Sequence, residues 1–206
     1  MNAEPVAIAI LAKAPIPGLA KTRLIPELGA HGAAVLQERL TERAVETAVA
    51  ADTGPVTLWC TPELDHAAFQ ELAARFPVTL KRQPDGDLGE RMLGAIAAVG
   101  GPTLVIGTDC PALEPATLRA AAEALCDGAD VVVTPAEDGG YVLVGARKAH
   151  AALFSKMPWG TDTVMKETRA RLGAQRLAAV ELAPLWDIDR PVDLVRLERE
   201  HPALAP

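Results

Sequence analysis

The chain has 206 residues, half of them hydrophobic and 23% charged, with a formal net charge of −7, enough apolar content for one sizeable core and too much for a disordered chain. The acidic balance argues against nucleic acid as a partner. No apolar run approaches the ~20 residues of a membrane span, and the N-terminus lacks the basic region of a secretory leader. Three cysteines (Cys60, Cys110, Cys126) without metal spacing fit a reducing compartment, so a cytoplasmic protein with a single domain over residues 1–206 is expected.

In chain order, Val6–Lys13 is a near-continuous apolar run, as expected of a strand covered on both faces. Apolar residues at helical spacing predict a helix over Gly32–Ala51. Pro55–Cys60 reads as a strand, Glu63–Arg75 as a helix, Val78–Lys81 as a strand and Leu88–Val99 as a helix. Thr103–Gly107 is the most buried-looking strand and runs directly into Asp109. Pro115–Leu125 starts with proline, which suits a first helical turn. Strands follow at Asp130–Thr134 and Gly140–Gly145, then a helix at Thr161–Leu172, a strand at Ala178–Leu182 and a closing helix at Pro191–Glu200. Such alternation implies βαβ units in a mainly parallel sheet, whose ligand crevice lies beyond the carboxyl ends of the strands.

The unusual residues sit at those ends. In Lys13–Leu24 (KAPIPGLAKTRL), Pro15, Pro17 and Gly18 stiffen a loop that places Lys21, Thr22 and Arg23 together. Cations beside exposed backbone N–H groups suit a polyphosphate, although the spacing is not that of a P-loop and a solvated basic turn has the same composition. Asp109, directly after a buried strand, suits either a divalent cation or a helix cap. Its neighbour Cys110 has no histidine nearby in sequence and reads as structural. Glu137-Asp138-Gly139-Gly140-Tyr141 makes a tight bend that fits a ligand or a plain hairpin. Trp159-Gly160-Thr161-Asp162 suggests a shaped wall, with Thr161 as a helix cap. In Asp187-Ile188-Asp189, extended backbone would put both carboxylates on one face, with Asp193 complementing the dipole of the helix that follows. Gly86-Asp87-Leu88-Gly89 opens a helix to a ligand, or Asp87 simply caps it. The four histidines are scattered and read as surface residues.

The ordered series KAPIPGLAKTRL, GDLGERM, GTDCPAL, EDGGYVLVG, PWGTDTV and DIDRPVDL resembles a family of bacterial GT-A-like candidate glycosyltransferases, some associated with arsenosugar biosynthesis. The match runs from Lys13 to Leu194. The family's wider relatives include phospholactate guanylyltransferase, the molybdenum-cofactor nucleotidyltransferases and the enzyme that activates ketodeoxyoctonate with CMP. The resemblance implies a three-layer α/β/α nucleotide-diphospho-sugar transferase fold, with Mg²⁺ or Mn²⁺ held by Asp109 and Asp189. It implies a nucleotide or nucleotide-sugar donor bound by Lys13, Pro15, Gly18, Lys21, Arg23, Gly86, Asp87, Gly89 and Asp109. A small-molecule acceptor would meet Gly139, Gly140, Tyr141, Trp159 and Thr161, with Lys21, Arg23, Asp109, Asp138 and Asp162 serving the chemistry. Here Arg190 replaces the relatives' threonine, and Asp109-Cys110-Pro111 lacks the second acid of the D-x-D pattern. Glycosyl transfer is the leading expectation. Nucleotidyl transfer with pyrophosphate release and a catalytically inactive nucleotide binder are the alternatives.

Overall fold

The computed structural model describes residues 4–206. Its strands are β1 (Ala7–Lys13), β2 (Val56–Thr61), β3 (Val78–Arg82), β4 (Thr103–Ile106), β5 (Val131–Pro135), β6 (Tyr141–Ala146) and β7 (Ala179–Glu181). The helices are α1 (Ile25–Ala51), α2 (Ala67–Arg75), α3 (Leu88–Val99), α4 (Pro115–Cys126), α5 (Ala151–Phe154), α6 (Val164–Ala174) and α7 (Pro191–Glu200). All seven strands form one sheet in the order β3-β2-β1-β4-β6-β5-β7, parallel except for β6, which runs antiparallel to both its neighbours.

Strand alternation separates the layers. Ile8, Ile10 and Ala12 of β1 pack on one side with Val45 of α1, Phe69 of α2 and Leu118 of α4. Ala9 faces the other side, with Ile96 of α3, Phe154 of α5 and Met165 of α6. The expected three-layer α/β/α arrangement is therefore present. A third apolar cluster joins Leu36 and Leu40 of α1 to Trp186, Ile188, Leu194 and Leu197, so α7 and the segment before it lie against α1.

The short α5 has no counterpart in the sequence expectation, and three helix starts differ from it for local reasons. Helix α2 starts at Ala67 rather than Glu63, with the His66 ring accepting from the Ala68 amide at its cap. Helix α1 starts at Ile25 rather than Gly32, passing through a break at Gly29 (φ 68°, ψ 167°) that interrupts the apolar period. Helix α6 starts at Val164, and Thr161 does not cap it: its hydroxyl donates to the Pro158 carbonyl and bonds Thr163 instead. The Leu88–Val99 and Pro191–Glu200 helices stand where the sequence places them. No helix among the described residues is long and apolar enough to cross a membrane.

Candidate functional site

The sheet's connections reverse direction around β1 and β4: the chain runs outward through β2 and β3, then returns to β4 on the other side of β1. Ligand crevices of open α/β sheets lie at such a switch point. Here a cleft of about 710 Å³ opens beyond the carboxyl ends of the strands.

Its two walls carry opposite charge. The loop after β1 and the start of α3 contribute Lys13, Lys21, Arg23 and Arg91, and no carboxylate. The β5–β6 turn and the segment leading into α6 contribute Asp138 and Asp162, and no cation. Between them lie Asp109, after β4, and Asp187, Asp189 and Arg190, before α7.

Lys21 organises the middle. Its backbone is left-handed (φ 46°), a sparsely occupied conformation for a residue with a side chain. That turn buries the side chain to 5% exposure, with Nζ 2.9 Å from Asp109 Oδ1 and donating to the Ile188 carbonyl at 2.5 Å. The Ile188 amide in turn donates to the Asp109 carbonyl at 2.8 Å, which ties the Asp187–Asp189 segment to the end of β4. Asp109 Oδ1 also accepts from the Thr108 hydroxyl at 3.2 Å, and Gln37 from α1 donates to that hydroxyl at 3.1 Å. Arg23, largely exposed, pairs with Asp189, which is partly exposed.

Burial pushes the Asp187 carboxyl up to about 6, helped by the negative charges of Asp138 and Asp109 and opposed by Lys21. Crowded carboxylates with one ammonium between them form a hard oxygen donor set, and Mg²⁺ typically takes one or two carboxylates and completes its shell with phosphate oxygens and water. Asp109 and Asp187 therefore fit a divalent cation. Among the described residues no group of three or more His, Cys, Asp or Glu side chains forms a complete cage, so substrate oxygens would have to supply the rest.

Arg91 is held as firmly as Lys21. Its Nε donates to the Gly86 carbonyl at 3.0 Å and its Nη1 to Gln83 Oε1 at 3.1 Å. Gln83 is buried, its amide donating to the carbonyls of Ala12 (3.0 Å) and Trp59 (2.9 Å) at the ends of β1 and β2. No ion pair among the described residues involves Arg91. Sequence reasoning missed both residues; the one visible sign was a glutamine followed by proline directly after a strand.

The expected site residues divide. Lys13, Lys21, Arg23, Asp109, Asp138, Asp162 and Asp189 line the cleft, as do Gly140, Tyr141, Trp159 and Thr161. Pro15, Gly18, Gly86, Asp87, Gly89 and Gly139 do not. Pro15 is buried beside α2, and Gly18 is an exposed turn glycine at φ 82°. Asp87 caps α3, accepting from the Glu90 amide at 2.9 Å while Glu90 accepts from the Asp87 amide at 2.7 Å. Gly89 acts through packing, because a Cβ there would lie 2.8 Å from the Trp159 ring. Gly139 (φ 95°) lets the β5–β6 turn seat on the Asp162 backbone, where a Cβ would come within 2.3 Å of the carbonyl oxygen. Its own carbonyl accepts from the Met165 amide at 2.8 Å. These two glycines position an edge-to-face pair of Tyr141 and Trp159, centroids 6.1 Å apart, on the acidic side.

Cys110 lines the cleft, but burial pushes its thiol up to about 12, which leaves no reactive thiolate near neutral pH. The histidines stay outside the cleft, though only His31 is fully exposed: His66 Nδ1 accepts from the Ala68 amide, His150 is half-buried and His201 lies against Trp186.

Residues 44–161, more than half of the chain, match the family DUF2064, described as an uncharacterized protein conserved in bacteria. The chain belongs to that family. No curated protein matches it. Among solved structures, this DUF2064 chain is similar to a candidate nucleotide-diphospho-sugar transferase from Desulfovibrio desulfuricans, with 26% identity, a TM-score of 0.83, and coverage of 95% of this chain and 88% of that one. It also shares its fold with a nucleotidyl transferase from Methanothermobacter (21% identity, TM-score 0.62, coverage 95% and 97%). A CMP:2-keto-3-deoxy-manno-octonic acid synthetase complexed with CTP is a further fold relative (15% identity, TM-score 0.59, coverage 95% and 98%). The expected nucleotide-diphospho-sugar transferase fold is thus the fold observed.

Proposed function

We propose that this protein is a transferase that takes a sugar from a nucleoside-diphosphate sugar and passes it to a hydroxyl of a small acceptor. One observation carries the reading: cations from the loop after β1 and from α3 meet the crowded carboxylates Asp109 and Asp187 in a single cleft at the sheet's switch point. The solved relative at 26% identity, described as a candidate nucleotide-diphospho-sugar transferase, supports it.

In this reading Lys13, Lys21, Arg23 and Arg91 hold the donor and neutralise its phosphates as charge builds on the departing diphosphate. Arg23 reaches the phosphates by giving up its exposed pair with Asp189. Asp109 and Asp187 would hold Mg²⁺ or Mn²⁺, which when bound supplies a Lewis acid for the phosphate oxygens. Asp189 joins them only once Arg23 has left it. On the opposite wall Asp138 or Asp162 accepts the proton of the attacking hydroxyl, while Tyr141 and Trp159 give the acceptor an apolar face. The bond from sugar carbon to phosphate oxygen breaks, the bond to the acceptor oxygen forms, and the nucleoside diphosphate departs.

Nucleotidyl transfer is the second reading, favoured by Asp109-Cys110-Pro111, which lacks the second acid of D-x-D. Incubation with a panel of nucleotide sugars and of nucleoside triphosphates, each with Mg²⁺ or Mn²⁺ and candidate acceptors, separates them. Arsenosugar precursors belong in that panel because of the sequence resemblance. Consumption of a nucleotide sugar with release of the nucleoside diphosphate is the expected result. Pyrophosphate release from a triphosphate would establish the second reading, and binding without turnover of any pair would leave a nucleotide-binding protein.

A further inference from the structure

A cleft that must hold two molecules at once can sort them by charge, and this one has the means. Its cations come from the end of β1, the loop after it and α3 (Lys13, Lys21, Arg23 and Arg91) and from Arg190 before α7, and Lys21 and Arg23 are engaged with the Ile188–Asp189 segment. The other side, built from the β5–β6 turn and the segment before α6, presents Asp138, Asp162, Gly140, Thr161 and the Tyr141–Trp159 pair. Neither Asp138 nor Asp162 takes part in an ion pair among the described residues. One Asp138 oxygen accepts from the Gly140 amide at 2.9 Å, which fixes the carboxylate in the turn and leaves its charge uncompensated.

The geometry points to an acceptor that carries no phosphate: a neutral or cationic polyhydroxylated ring. The inference rests on the transferase reading above and narrows it. An acceptor bound as its phosphate ester would bring about two negative charges to a wall with two carboxylates and no cation. Both carboxylates are exposed, so salt screens that repulsion, but it persists at low ionic strength. Nor can the central cations offset it, because in the transferase reading Lys21 and Arg23 are committed to the donor's phosphates. A sugar-like ring suits the same wall on both counts. Its hydroxyls donate to carboxylates, and its C–H face packs on an indole.

The test uses the full-length protein and three probes with one ring: glucose, glucosamine and glucose 1-phosphate. A panel of nucleoside diphosphates is first titrated with Mg²⁺ by calorimetry, and the tightest is kept saturating so that the cationic wall is filled. Saturation-transfer NMR then measures each probe. Glucose and glucosamine are expected to bind at least tenfold more tightly than glucose 1-phosphate. In the double variant Asp138→Asn with Asp162→Asn, with the nucleoside diphosphate again kept saturating, that discrimination should shrink to within about threefold. If no nucleotide binds, the transferase reading fails and takes this inference with it. If a nucleotide binds and glucose 1-phosphate matches or exceeds glucose, only the acceptor inference is overturned. Nucleotide binding with no signal from any of the three rings overturns it as well, as does a double variant that discriminates as the natural chain does.

Discussion

The two walls of the cleft are built by different means, and the difference shows how an acidic chain makes room for a polyphosphate. On the cationic wall, charge is fixed by tertiary hydrogen bonds. Arg91 leans on Gln83, Gln83 hangs from two strand carbonyls, and Lys21 is buried against Asp109 and Ile188. On the acidic wall, charge is fixed by backbone shape, with Gly139 docking a hairpin turn on the Asp162 backbone. A net charge of −7 repels phosphates at long range, so a local field of opposite sign has to be held rigidly in place. Neutral acceptors need no such field, and the acidic wall accordingly leaves its carboxylates exposed.

The sharpest way to break the cationic wall is Lys21→Ala. It removes the ammonium that faces Asp109 and leaves the Ile188 carbonyl without a donor. Affinity for a nucleoside diphosphate should fall by about 2–3 kcal/mol, the upper range for a charge-assisted hydrogen bond. Because Lys21 is buried, stability should also fall. The partner Asp109 is half exposed, which limits that loss to about 1–2 kcal/mol, or a few degrees of melting temperature. Calorimetric titration and a thermal melt check the two parts separately. An unchanged melt would show that the Lys21–Asp109 contact does not hold the loop.

The corresponding break on the acidic wall is Gly139→Ala. The residue sits at φ 95°, and a Cβ would come within 2.3 Å of the Asp162 carbonyl oxygen, so either the turn or α6 must shift. A destabilisation of about 2 kcal/mol is expected from strain and displacement together. Nucleotide affinity should stay within twofold, because the cationic wall is untouched. A large loss of nucleotide affinity would show that the walls are mechanically coupled.

How far these walls were legible in the sequence follows the same division. Local chemistry was readable. The Asp87–Glu90 capping box, the proline starts of α4 and α7, and the buried run of β4 all follow from neighbours within a few residues. Loop cations after β1 and the aspartate after β4 were readable because parallel sheets bind ligands at those ends. Arg91 was not, because a cation on an amphipathic helix looks like any solvated one until Gln83 is brought to it from the end of β3. The contrast between Asp187 and Asp189 was hidden for a related reason. Alternation puts both on one face, but only the packed structure buries Asp187 beside Asp109 and leaves Asp189 to Arg23. Gly86 and Gly89 were misleading, since their roles are a turn and the seating of Trp159 rather than ligand contact.

Asp187 sharpens the comparison through pH. Its carboxyl is raised to about 6 by burial first and then by Asp138 and Asp109, so the folded protein holds a proton that the unfolded chain releases near pH 4. The charged form is therefore a cost to stability. That cost is absent below pH 4, grows as the pH rises toward 6 and is complete above it. Asp187→Asn should be more stable than the natural chain at pH 7.5 by about 1–2 kcal/mol, a figure discounted for partial exposure, and equal to it at pH 4. Mg²⁺ at millimolar concentration should raise the melting temperature of the natural chain at pH 7.5 and leave that of Asp187→Asn nearly unmoved. Equal stability of the two chains across the pH range would remove the crowding argument for a divalent cation.

Arg23→Ala is the mildest perturbation and separates binding from folding. The guanidinium is 61% exposed and its partner Asp189 39% exposed, so the pair contributes little to stability and the melt should not move. Loss of one exposed phosphate contact should weaken nucleoside diphosphate affinity by about 1 kcal/mol, and the difference should fade as salt rises. The same variant tests the role expected of Asp189. With its guanidinium gone, that carboxylate is free to join Asp109 and Asp187, so Mg²⁺ should bind Arg23→Ala more tightly than the natural chain. Combining Arg23→Ala with Asp189→Asn should cancel that gain. If Mg²⁺ affinity is the same in all three proteins, Asp189 serves only as the resting partner of Arg23, and the cation belongs to Asp109 and Asp187 alone.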